Sequence, residues 1–323
     1  MGGAVAAVET RLERLNAVSA RQLREPEAEF PWDEVGKGQV LPDELLSING
    51  LDLELTADQR ATLAREEVAS LLAAGIHFEA VLDAAFSLRL AYSRELDDPR
   101  HVYMLHEVGE ETRHQRAFLR LREQLAPRAK NPFDHGAIAF VMRRAINIVL
   151  RSRALFCTLL LAGEEIPDFM QKLATEHPDT DPVLKAVNRY HRAEEARHLA
   201  FARMIMPEEW AKANALDRFR VRFSAPIMIR ALFDGMVHPG VYATVGLPAF
   251  PTWKAAHRTP QRRAVRFEAT RPVLWTLLEN KVLRAGRVPR GWQSLCGVDK
   301  WGSPTDEIVG SSVREVDDHG RVI

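Results

Sequence analysis

The sequence predicts an all-α fold: four long helices forming a bundle, with additional helices at both ends. Three observations predict it. Apolar residues recur near the helical period in four long stretches, capping signals open those stretches, and no segment shows the alternation of several successive strands. The bundle is expected over about residues 56–206 and a C-terminal helical extension over about 207–300. All of 1–323 is read as one domain.

A short helix is expected from Val8 to Leu23, in a region that reads as peripheral. Thr56 followed by Gln59 forms a capping box that opens the first long helix. Leu72, Gly75, Leu82 and Phe86 mark its inner stripe, and its end is expected near Leu96. Asp98-Pro99 starts the second long helix, which runs to about Leu125. A third is expected from Gly136 to about Thr175, kinked at Pro167. Asp181-Pro182 repeats the start signal for a fourth, which Pro207 is expected to stop near Met206. Helices over Glu208–Met236 and Arg271–Ala285 complete the prediction.

Two of these helices carry one pattern. The second has Glu110-Glu111-Thr112-Arg113-His114 and the fourth has Glu194-Glu195-Ala196-Arg197-His198. Residues three apart share a helix face, so Glu111 with His114, and Glu195 with His198, can each present two ligands to a metal. A lone Glu-x-x-His decides nothing, since about one is expected by chance in a chain this rich in both residues. Two that both extend to E-E-x-R-H, and are the only two in the chain, point to a dimetal carboxylate centre of the ferritin-like kind.

Such a centre needs one more carboxylate from the helix preceding each motif. Glu79 lies in the apolar stripe of the first long helix, where a carboxylate is costly unless paired or metal-bound. Glu164 shares the phase of Leu160 and Cys157 and lies 31 residues before Glu195, close to the 32 that separate Glu79 from Glu111. His191 falls on the stripe of Glu195 and His198, so the centre is expected to be asymmetric, with one extra nitrogen donor. Its competing role is that of a hydrogen-bonded core histidine, and surface charge pairing is the competing role of the two motifs. Glu107 reads as a supporting or solvated carboxylate. Glu110, Glu194, Arg113 and Arg197 fit either partners of the ligands or surface ion pairs. Mixed carboxylate and imidazole without thiolate suits two iron ions, with manganese as the alternative.

Lys+Arg and Asp+Glu are both 44, which argues against a nucleic-acid or anionic-membrane partner. Two cysteines, Cys157 and Cys296, form no CxxC pair and fit a reducing compartment. Charged residues begin at Glu9, and the most apolar run, 154–163, is too short to span a bilayer. A cytoplasmic location is therefore expected.

With His191, Glu195 and His198 in the order H-x-x-x-E-x-x-H, and Glu164 lying 27 residues before His191, the sequence resembles the p-aminobenzoate N-oxygenase family of ferritin-like diiron oxygenases. The resemblance covers about residues 56–206. It implies seven metal ligands: Glu79, Glu111, His114, Glu164, His191, Glu195 and His198. It also implies an oxidoreductase that uses O2 as co-substrate to convert a small aryl amine to hydroxylamine, nitroso or nitro products. A homodimer is implied too, and the electrons would come from an external donor, such as a redox partner protein. A diiron enzyme acting at carbon and a ferritin-like iron-binding protein are the alternatives; residues 207–323 argue against the latter, because a storage subunit does not need them. For a carboxylate-bearing substrate, Arg230, Arg271 and Arg284 are the candidate cations.

Overall fold

The computed structural model describes residues 2–36 and 38–305, with side chains described from residue 8 onward. In chain order the helices are α1 (Gly2–Arg21), α2 (Pro26–Glu29), α3 (Ala57–Tyr92), α4 (Pro99–Leu125), α5 (Gly136–Arg151), α6 (Arg153–Glu176) and α7 (Pro182–Ala211). They continue with α8 (Ala215–Phe219), α9 (Ala225–Gly235), α10 (Gly240–Ala243), α11 (Ala249–Ala256), α12 (Pro260–Glu279) and α13 (Arg290–Cys296). Among the described residues the sole β pairing is an isolated bridge between Val298 and Pro304, so the fold is all-α, a ferritin-like helical bundle.

The helix starts follow local chemistry. Thr56 accepts from the Gln59 backbone N–H while the Gln59 side chain accepts from Thr56 N, the complete capping box. Asp98 and Asp181 cap α4 and α7 ahead of their prolines. The two hairpins α3–α4 and α6–α7 are the most extensively packed pairs, and together they form the bundle.

Two apolar clusters fill the bundle, one on each side of a polar layer. One holds Leu82, Phe86, Tyr103, Phe156, Leu160, Phe201 and Met206, with residues of α9, α12 and α13 packed against them. The other holds Leu63, Leu72, Phe118, Leu121, Val187 and Tyr190, covered by Phe30, Trp32, Val40 and Leu46 of the N-terminal segment and by Val241 and Tyr242. Each large side chain fully buried there contributes roughly 1.5–3 kcal/mol. The polar layer between them costs stability unless its groups are paired.

Four expectations are corrected. The third long helix is not continuous. It breaks at Ser152 into α5 and α6, bent by 113°. Ser152 is extended (φ −110°, ψ 104°) and its buried hydroxyl donates to Asp217 Oδ1 at 2.6 Å, a tertiary contact that opens the helix there. Pro167 lies inside α6 as expected, but Pro207 does not stop the fourth helix: it lies inside α7, which runs on to Ala211. An interior proline removes one hydrogen bond, and the packing of each helix outweighs that loss. The later helices shift too: 208–236 divides into the end of α7, α8, a π-helical turn at Arg220–Ser224 and α9, while α12 starts at Pro260 rather than Arg271. The N-terminal region is not peripheral. Leu12 of α1 is buried and Ser19 Oγ accepts from Arg197 Nε of α7 at 3.1 Å.

Among the described residues α3 alone is by itself long and apolar enough to cross a membrane on length and composition; α5 and α6 pass only if taken together across their bend. In the bundle the buried positions of α3 include Glu66, Glu67 and Glu79.

Candidate metal centre

The polar layer gathers all seven residues singled out in the sequence. Their donor atoms form two sets: Glu79, His114, His191 and Glu195 in one, and Glu111, Glu164, Glu195 and His198 in the other. Within each set the donors lie within 4.8 Å of one another, and every residue is buried. Glu195 belongs to both.

The imidazoles are oriented for ligation. His114 turns Nδ1 inward, 3.4 Å from Glu111 Oε2 and 3.3 Å from Glu195 Oε1. His198 does the same, with Nδ1 3.1 Å from Glu111 Oε1 and 3.1 Å from Glu195 Oε2. Their outer nitrogens meet carboxylates: His114 Nε2 lies 2.9 Å from Glu194 Oε2, and His198 Nε2 lies 2.8 Å from Glu110 Oε2. An imidazole that donates outward from Nε2 keeps its Nδ1 lone pair for a cation. His191 is reversed. Its Nδ1 lies 2.9 Å from Gln171 Oε1, and its Nε2 faces Glu79 Oε1 at 3.2 Å and Glu195 Oε1 at 3.1 Å.

The whole E-E-x-R-H motif now has an account, and it is reciprocal. The first Glu of each helix holds the His of the other. The second Glu and the His face the centre. Arg197 Nη2 lies 2.9 Å from Glu110 Oε1, and Arg113 Nη2 lies 3.8 Å from Glu194 Oε1. Glu110 and Glu194 are buried, so these are interior partners and not surface ion pairs. Burial raises the Glu110 carboxyl, but the hydrogen bond and charge of His198 and the charge of Arg197 outweigh it and bring it to about 2.

The residues present fit a pair of metal ions. Neighbouring donors about 3 Å apart are what bonds of about 2 Å to a common ion require. Glu79 Oε2 and Glu164 Oε1 are buried oxygens without a hydrogen-bond partner, an arrangement that a bound cation would satisfy. Burial, and then repulsion from Glu111, push the Glu79 carboxyl well above its usual range, a strain that a dication relieves. The donor set holds only carboxylate and imidazole, the preference of iron and manganese.

The family model described as P-aminobenzoate N-oxygenase AurF matches residues 5–280. The chain belongs to this N-oxygenase family. Curated relatives include the uncharacterized proteins Rv0885 of Mycobacterium tuberculosis and Mb0909 of Mycobacterium bovis. Each is 27% identical over 172 residues, covering 53% of this chain and 50% of the relative. The chain thus spans about half the length of the curated relatives it matches. No solved structure matches it.

In this N-oxygenase-family chain an apolar cavity of about 140 Å³ leads from the layer. Glu79, Glu164, His191 and Glu195 contribute to its lining, with Leu72, Phe78 and Met170 among its apolar residues and Arg262 of α12 as a cation. A Cβ at Gly163 would overlap the Phe78 ring, so glycine there lets Phe78 lie against α6 beside Glu164.

Sequence reasoning missed two residues here. Gln171 was legible in principle, because it follows Glu164 by seven residues on the same stripe of α6. Arg262 carried no signal. It is buried, its Nε and Nη2 have no hydrogen-bond partner, and its guanidinium stacks on Phe233 at 4.4 Å. None of the three arginines named as candidate cations, each of which reads first as a surface arginine, lines the cavity. Arg271 is tied to the Cys296 and Gly297 carbonyls at 3.0 and 3.3 Å, Arg230 pairs with Asp234, and Arg284 is exposed.

Proposed function

We propose that this protein is a diiron oxygenase that uses O2 to oxidise the amino group of a small aryl amine bearing an anionic substituent. The observation that carries this reading is the apolar cavity that joins two buried donor sets to a buried arginine whose Nε and Nη2 have no hydrogen-bond partner, in a chain of the N-oxygenase family. Two iron ions held by Glu79, Glu111, His114, Glu164, His191, Glu195 and His198 would supply the chemistry that activates dioxygen.

The remaining steps belong to the chain. Glu110, Glu194 and Gln171 fix the tautomers of the three histidines. Leu72, Phe78 and Met170 exclude water from the space beside the ligands and offer an apolar wall to an aromatic ring. Arg262 would hold the anionic group, leaving the amine directed toward the carboxylate–histidine layer. Electrons come from an external donor. A homodimer accords with α5, whose Ile138, Phe140, Val141, Met142 and Ile148 are exposed. The buried carboxylates of α3 disfavour a place for that helix in lipid, which accords with a cytoplasmic protein.

The test is product analysis. The iron-loaded, reduced protein is exposed to O2 with a panel of aryl amines, and products are read by mass spectrometry. Hydroxylamine, nitroso or nitro products are expected. Their absence from every amine, with ring- or side-chain-hydroxylated products instead, would move the chemistry to carbon. Arg262→Met should raise KM for a carboxylated aryl amine about 10- to 100-fold, the loss of a charge-assisted hydrogen bond. KM for an uncharged aryl amine and the iron content should not move.

A further inference from the structure

The reciprocity between α4 and α7 extends one turn beyond the shared motif. The first donor set takes Glu79 from α3, His114 from α4 and His191 from α7. Exchanging each for its counterpart in the other hairpin gives Glu164 of α6, His198 of α7 and Glu107 of α4. Glu164 and His198 are members of the second set. Glu107 stands four residues before Glu111, as His191 stands four before Glu195.

Glu107 is neither solvated nor paired. It is 0% exposed, and neither of its carboxylate oxygens has a hydrogen-bond partner. It stands one turn before Glu111 on the same face of α4, beside the second set, although its oxygens are not among the donors gathered there within 4.8 Å of one another. Tyr103, one turn earlier on α4, is also buried and its hydroxyl is likewise unpartnered, so it does not hold the carboxylate. A buried carboxyl group with no donor is destabilising, and such groups persist where a cation or a function requires them.

We infer that Glu107 is an additional carboxylate ligand, serving the metal ion held by Glu111, Glu164, Glu195 and His198, in the place that His191 takes beside the other ion. The inference rests on the two-metal reading of the site. It gives the two ions different terminal donors: an imidazole nitrogen for one and a carboxylate oxygen for the other. The expected asymmetry is therefore one of ligand charge as well as of nitrogen count.

The test is anaerobic titration of the full chain with iron(II), with metal content read by mass spectrometry and the two ferrous environments by Mössbauer spectroscopy. The wild type is expected to take two ions per chain. Glu107→Leu should bind the first as the wild type does and the second at least about tenfold more weakly, with one ferrous environment lost at sub-saturating iron. Its metal-free melting temperature should stay the same or rise, because an unpaired acid has been replaced by an apolar group of similar size. A structural role would give the opposite pair: a less stable metal-free protein and unchanged iron binding. Two ions at wild-type affinity with an unchanged spectrum would overturn the inference, as would an equal loss of both. Glu107→Gln keeps the shape of the side chain and is read by the same criteria if the leucine variant does not fold. Failure of the wild type to take two ions would overturn the two-metal reading itself.

Discussion

Helix α3 buries carboxylates at two levels, and they are treated differently. Near its N-terminus, Glu66 accepts the backbone N–H groups of Arg128 and Ala129 at 2.8 and 3.0 Å. Glu67 accepts Ser47 N at 2.8 Å and the Ser47 hydroxyl, which is itself hydrogen-bonded to the Tyr242 hydroxyl at 2.8 Å. These two acids tie the α4–α5 connection and the N-terminal segment to the bundle. Three turns on, Glu79 keeps one oxygen without a partner, and across the bundle so does Glu164. Burial alone therefore does not mark a metal ligand. What separates the two levels is the supply of N–H and O–H donors: loops fold over the first level and provide them, whereas the second is walled by apolar side chains, other acids and imidazoles that donate outward to Glu110, Glu194 and Gln171.

The largest test of that contrast is Glu195, the residue common to both donor sets. Glu195→Ala should abolish binding of both ions, taking the iron content from two per chain to near zero, whereas Glu66→Gln should leave it at two. Metal analysis after anaerobic loading reads both. A glutamine at 66 that emptied the site would break the distinction between the levels.

A smaller effect is expected one layer out. Glu110→Ala removes the acceptor of His198 Nε2 and the partner of Arg197. Metal affinity should fall about 10- to 100-fold without loss of the fold, the usual consequence of freeing a ligand's outer nitrogen. Competition with a chelator of known affinity measures it.

The smallest effect concerns pH. Burial pushes the Glu67 carboxyl up to about 7, against the pull of its bonds to Ser47. Between the ordinary carboxylate range and about 7 the folded chain therefore holds a proton that the unfolded chain has released. The stability this contributes is present in full below the unfolded value and is lost as pH rises toward 7. Thermal melts of the wild type from pH 5 to 8 should show that decline, and Glu67→Gln should flatten it. A slope unchanged by the variant would place its origin elsewhere.

Much of the site was legible because helices convert spacing into direction. The repeated E-E-x-R-H, the matched intervals from Glu79 and Glu164, and the stripe of His191 sufficed to pick out the residues whose donor atoms the fold gathers. The role of Glu110 and Glu194 was legible only as one of two alternatives, a partner of the opposite histidine or a surface ion pair. An E–R pair on one helix looks the same whether it faces solvent or reaches across to a histidine on another. Arg262 was invisible for a related reason, since nothing within α12 distinguishes it from Arg263 or Arg266.

The sequence by itself determined the helical class, the capped starts of the bundle helices and the face on which each donor lies, because these depend on residues within a few turns of one another. The tertiary structure alone decided where the third helix breaks, at a serine claimed by a distant aspartate. It also decided that α1 closes over Arg197, that the outer nitrogens of His114 and His198 are held by the opposite helix, and that a buried arginine lines the cavity. Each of these joins groups far apart in the chain, and hydrogen bonds and burial between such groups are set by packing rather than by local spacing.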